Sequence, residues 1–114
     1  MNYKSNRNYI LFDYNMSHSQ LVLRSFKEDD SERNLDIIFF GVNQIKIGTN
    51  FDSINIEWEK GNEEDDIEFI INDGKIVCSF FNVLENKFDY GETSIFKELN
   101  EDCRLIYSSN NEDT

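Results

Sequence analysis

The sequence predicts an all-β protein, an antiparallel meander of about seven strands that closes as a sandwich or a partly open barrel. Three stretches carry that prediction. Leu35 to Ile47 begins as an unbroken apolar run rich in β-branched and aromatic residues, the pattern of a strand covered on both faces. Ser53 to Glu59 alternates without a slip, with Ile54, Ile56 and Trp58 on one face and Ser53, Asn55, Glu57 and Glu59 on the other. Ile67 to Asn72 and Lys75 to Phe81 flank Asp73-Gly74, a dipeptide suited to the two positive-φ positions of a type I′ hairpin turn.

The elements follow in order. Residues 1–7 are polar, either a frayed end or a short addition to a sheet edge. Tyr9 to Tyr14 forms a first strand and Gln20 to Phe26 a second, separated by a turn at Asn15-Met16-Ser17. A charged loop, Lys27 to Asn34, leads into the central strand from Leu35 to Ile47. Its alternation slips near Gly41–Asn43, and a β-bulge there would turn Ile45 and Ile47 inward. The type I′ turn would set Ile71 opposite Ile76, Phe69 opposite Cys78 and Ile67 opposite Phe80, all on one face. Ser94 to Asn100 reads as a short helix capped near Thr93, with a strand as the alternative. Arg104 to Tyr107 is a last short strand, and residues 108–114 are a flexible polar tail.

Composition bounds the function classes. A chain of 114 residues makes one domain and buries enough surface to be stable without a disulfide or metal. No basic-then-apolar start marks a signal peptide, and no apolar run reaches the ~20 residues of a membrane span. Cys78 and Cys103 are therefore expected as reduced thiols in the cytoplasm. Residues 1–33 carry five basic and five acidic groups, so all of the −12 net charge belongs to residues 34–114, with 18 acidic and 6 basic. Such a surface repels nucleic acid and anionic membrane and attracts a basic protein.

Little catalytic chemistry is written in the chain. His18 lies between Ser17 and Ser19, but residues adjacent in an extended chain point to opposite faces, so it reads as a turn histidine and not as part of a nucleophile pair. Glu63-Glu64-Asp65-Asp66 lacks the spaced oxygen ligands of a calcium loop, and the two cysteines lack zinc-ligand spacing. No enzyme activity and no cofactor are expected.

The run Ser17 to Arg24, a charged loop, and then Leu35 to Ile45 with its Gly41-Val42 resembles a pattern in small bacterial proteins akin to the immunity proteins of polymorphic toxin systems. The resemblance spans residues 17–59 and brings no catalytic residues with it. It implies a cytoplasmic all-β protein that acts by binding. The first expectation is therefore a non-catalytic protein-binding module whose acidic face comprises Glu57, Trp58, Glu59, Glu63, Glu64, Asp65, Asp66 and Glu68, with Trp58 or Tyr90 as an aromatic anchor. The alternative is a small-ligand-binding β-barrel whose interior aromatics line a cavity.

Overall fold

The computed structural model describes residues 1–27, 33–59, 66–89, 91–95, 99–100 and 102–111. They form eleven strands: β1 (Asn2–Ser5), β2 (Tyr9–Asn15), β3 (Gln20–Ser25), β4 (Asn34–Phe40), β5 (Gln44–Lys46), β6 (Asn50–Phe51), β7 (Ile54–Glu57), β8 (Ile67–Ile71), β9 (Gly74–Cys78), β10 (Phe80–Asn86) and β11 (Cys103–Ser108), followed by one 3₁₀ turn. The predicted all-β class holds, with more and shorter strands than the seven expected. Residues 1–7 include the edge strand β1 rather than a frayed end, because Asn2–Ser5 pairs along β7.

The strands make a five-stranded sheet, in order β1-β7-β8-β9-β5, and a six-stranded one, β11-β10-β4-β3-β2-β6, with every pairing antiparallel. Five connections pass between the sheets, β5 into β6 by the loop between them and four others as continuous bent segments: β1 into β2, β4 into β5, β6 into β7 and β9 into β10. Taken as four bent strands, these segments join β3 and β8 in a closed circuit of six, with β11 added outside β10. The architecture is thus two packed antiparallel sheets whose bent strands close them into a barrel, rather than a partly open one.

The central stretch is two strands, not one. Gly41 takes φ +68, and a Cβ there would lie 2.5 Å from Ser79 Oγ. The chain turns at this point into the second sheet, beside the place where Ser79 N donates to Phe40 O (2.9 Å) as the β9–β10 segment makes the same crossing. This corner replaces the expected bulge and leaves Ile45, on the edge strand β5, exposed and not inward.

The hairpin is present in a different register. Ile71 pairs with Gly74, Phe69 with Ile76 and Ile67 with Cys78, so the turn residues are Asn72 and Asp73. Asn72 carries the positive φ (51), and its side chain is held on both sides, accepting from Asn55 N at 2.9 Å and donating to Ser53 O at 2.9 Å. The shift of two residues keeps Phe69, Ile71, Ile76 and Cys78 inward, so the burial pattern within the hairpin fits either register. Phe80, beyond the crossing at Ser79, stacks on Phe40 instead of facing Ile67 and leaves the inward place to Phe81. Gly74 serves close approach: a Cβ on it would stand 2.3 Å from Lys46 O and 3.0 Å from Ile47 Cα.

Inside the barrel, the rings of Phe39, Trp58, Phe69 and Phe81 pack against one another. Trp58 lies 5.2 Å from Phe81 and 5.3 Å from Phe69, while Phe39 lies 5.6 Å from Phe81. Leu21, Leu23, Ile37, Ile56, Ile71 and Ile76 fill in around them, all fully buried. Where Ser94 to Asn100 was expected to be helical, the described residues 94, 95, 99 and 100 are not, and 96–98 lie outside the description. Instead Ile95, with Phe88 and Cys103, packs on the outer face of the six-stranded sheet against Val22, Ile38 and Leu84.

That second core encloses an ion pair. Arg24 and Asp36, cross-strand neighbours on β3 and β4, are both fully buried and joined bidentately, Nε to Oδ1 at 2.7 Å and Nη2 to Oδ2 at 2.8 Å. Asn86 Nδ2 donates to the same Asp36 oxygen (2.9 Å), and Asn34 Nδ2 donates to Asn86 Oδ1 (2.9 Å) and Phe88 O (3.0 Å). The Arg24 guanidinium also lies 3.9 Å above the Phe12 ring.

Two tests follow from this packing. Gly74→Ala should cost roughly 1–3 kcal/mol, because backbone must yield to the new Cβ, whereas Gly48→Ala, with nothing within 4 Å of its Cβ position, should be near neutral. Equal thermal midpoints for the two variants would refute the close approach. Arg24→Met strands the buried Asp36 carboxylate and should cost about 3–5 kcal/mol in denaturant unfolding, while the double variant Arg24→Met/Asp36→Leu should recover most of that loss.

Candidate functional site

The end of the five-stranded sheet where β1, β7 and β8 meet forms an open groove of about 770 Å³, lined by Met1, Asn2, Glu57, Trp58, Glu59, Asp66, Ile67, Glu68 and Ile70. Its geometry comes from strand pairing. Asn2 stands opposite Glu57 and Glu57 opposite Ile70, while Met1 continues the ladder, its backbone O accepting from Trp58 N at 3.1 Å. Alternation sends Ile56 inward and Glu57 outward on β7, and on β8 Phe69 and Ile71 inward and Glu68 and Ile70 outward. The expected acidic face therefore exists in part as a built feature. Glu57, Glu59, Asp66 and Glu68 converge there, all exposed.

These carboxylates have local partners. Glu57 Oε1 accepts from Asn55 Nδ2 (3.0 Å), Glu68 Oε1 lies 3.4 Å from Lys75 Nζ, and Asp66 accepts from the Asn43 side-chain amide. Glu63, Glu64, Asp65 and Tyr90 lie outside the described residues. Trp58 is not a presented anchor: it is 5% exposed, and its ring belongs to the barrel interior. The exposed apolar side chains that the groove presents among the described residues are Met1, 44% exposed, and, on β8, Ile70, 39% exposed. Ile70 went unnoticed as a site residue, although the inward set Ile67, Phe69 and Ile71 already implies that it faces water.

Elsewhere, His18 is an exposed turn residue whose backbone N donates to Asn15 Oδ1 at 3.1 Å. Ser19 after it takes φ 52 and its carbonyl accepts from Val42 N at 2.8 Å, so the turn braces the corner at Gly41. Among the described residues, no group of three or more His, Cys, Asp or Glu is placed to hold a metal ion, and no helix is long and apolar enough to cross a membrane. Both cysteines are free thiols and buried. Burial pushes the Cys78 thiol up to about 12, with Asp66 adding to the shift, and raises Cys103 as well. Burial likewise raises the Tyr3 hydroxyl to about 12.

No protein family, curated protein or solved structure matches this chain. What the site can do rests on its own geometry.

The raised thiol and phenol values set an alkaline limit. Both groups are held neutral in the fold, so their contribution to stability is whole below about 9 and is lost as the pH rises toward about 12. Denaturant midpoints should be flat with respect to these groups up to pH ~9 and fall above it. Under native conditions at pH ~8, Cys78 should react with a thiol reagent only through opening of the fold. Fast stoichiometric labelling would place it outside the barrel.

Proposed function

We propose that this chain is a non-catalytic binding module that receives a basic protein on the acidic groove, an activity of the immunity-protein kind. The observation that carries the reading is the convergence of Glu57, Glu59, Asp66 and Glu68 on one concave end of the five-stranded sheet. Oriented charges of one sign on a concave surface raise the encounter rate with a partner of opposite sign. The −12 net charge, all of it contributed by residues 34–114, adds to that field. The resemblance over residues 17–59 agrees with a role exercised by binding, and two buried thiols suit a cytoplasmic setting.

The small-ligand alternative has less to support it. A ligand-binding barrel uses its interior, and here Phe39, Trp58, Phe69 and Phe81 occupy that space with ring contacts of 5.2–5.6 Å.

The test uses a partner captured from the native cells and kinetics measured on the purified pair. The on-rate should fall steeply as salt rises from ~0.05 to ~0.5 M, where the screening length shrinks to a few Å. Glu57→Lys/Glu59→Lys should slow association severalfold and leave the off-rate nearly unchanged. An on-rate indifferent to both changes would reject the acidic groove as the recognition surface.

A further inference from the structure

The groove is not uniformly acidic, and its apolar part narrows what it fits. Ile70 stands at the centre of a row on the outer face of the sheet, with Glu57 directly opposite on β7 and Lys75 directly opposite on β9. Glu68 lies two residues away on the same face of β8, and Met1 and the half-buried Ile67 border the groove at the end of the sheet. Directly paired residues on a sheet have Cβ atoms about 5 Å apart, and same-face neighbours along a strand lie near 7 Å. An exposed aliphatic side chain thus has the Glu57 carboxylate across the ladder on β7 and the Glu68 carboxylate along β8. Lys75, on its other side, lies 3.4 Å from Glu68, so a bound cation would compete with Lys75 for Glu68.

We infer that the groove takes a basic segment in which an apolar side chain lies within a residue or two of lysine or arginine on each side. The apolar side chain covers Ile70, and the flanking cations reach Glu57 and Glu68. This rests on the acidic-groove reading above and adds to it the apolar contact. Charge decides the occupant: a second copy of this chain, itself at −12, would bring carboxylates onto carboxylates. A wholly hydrophilic polycation would leave Ile70 uncovered and gain nothing from it.

Two synthetic peptides of equal charge separate the two statements. One alternates lysine with leucine, the other lysine with serine, and each is titrated by fluorescence anisotropy at ~0.05 and ~0.3 M salt. The intact protein should bind the leucine peptide roughly fivefold or more tightly than the serine peptide, the scale expected for covering one aliphatic side chain. Ile70→Ser, a change at an exposed position, should abolish that preference while both peptides keep their salt dependence. Glu57→Gln/Glu68→Gln should weaken both peptides alike and flatten the salt dependence. Equal affinity of the intact protein for the two peptides, with salt dependence intact, would overturn the apolar contact and leave the acidic-groove reading standing. Failure of either peptide to bind at low salt would overturn both.

Discussion

The buried pair of Arg24 and Asp36 constrains more of this molecule than any other single contact. Two full charges removed from water are costly unless they are paired and hydrogen-bonded. Here both Asp36 oxygens are met, while Arg24 Nη1 has no hydrogen-bond partner among the described residues and the guanidinium lies over the Phe12 ring. The requirement recruits three strands and a connection. Asp36 on β4 takes both forks of Arg24 from β3 and the amide of Asn86 from β10. Asn34 then ties Asn86 to the Phe88 carbonyl and accepts from Lys27 N at 2.8 Å, so the loops entering and leaving these strands are pinned to the same cluster. Phe12 and Phe88 supply ring faces to the guanidinium. A pair so enclosed needs a cover, and the segment after β10 provides it, anchored by Ile95 and by the bond from Thr93 to Asp13 (2.6 Å).

On the other side of the six-stranded sheet the constraint is steric. The barrel closes because four chain segments turn from one sheet to the other, and the turn at Gly41 is possible only with a residue that accepts positive φ and yields room to Ser79. The same corner sends β5 along β9, where Gly74 lets the Lys46 carbonyl come close. With both faces of β3 and β4 occupied, one by the aromatic core and the other by the ion pair, the outer face of the five-stranded sheet is left free to carry a surface of its own. The groove at its end is built from what alternation leaves outside: Glu57, Glu68 and Ile70.

Much of this was legible in the chain. Alternation in Ser53–Glu59 and the apolar run before Gly41 placed strands where they are, and of the expected acidic residues Glu57, Glu59, Asp66 and Glu68 lie at one end of one sheet. A charged residue at the end of each of two strongly apolar stretches, Arg24 after Leu21–Leu23 and Asp36 beside Leu35, was a visible sign of a buried pair, but only strand order shows that they face each other. Trp58 was misjudged as an anchor for a related reason. Period-two alternation put it on the inward face, and only the closure of the barrel over that face decides that no partner can reach it.

By itself the sequence determined which residues are extended, which side chains share a face, and that the excess charge lies after residue 33. These are local properties, set by backbone sterics, side-chain periodicity and counting. The tertiary structure alone decided that Leu35–Ile47 is divided between two sheets, that the hairpin turns at Asn72-Asp73, and that Glu57 and Ile70 are neighbours. Each of these depends on contacts between residues distant in the chain. The backbone amide and carbonyl of Asn55 and the carbonyl of Ser53 claim Asn72 for the turn, and the Lys46 carbonyl claims the space above Gly74. A two-residue shift of register leaves the pattern of inward and outward side chains within the hairpin unchanged, so hydrophobic periodicity there carries no information about it, and long-range packing makes the choice.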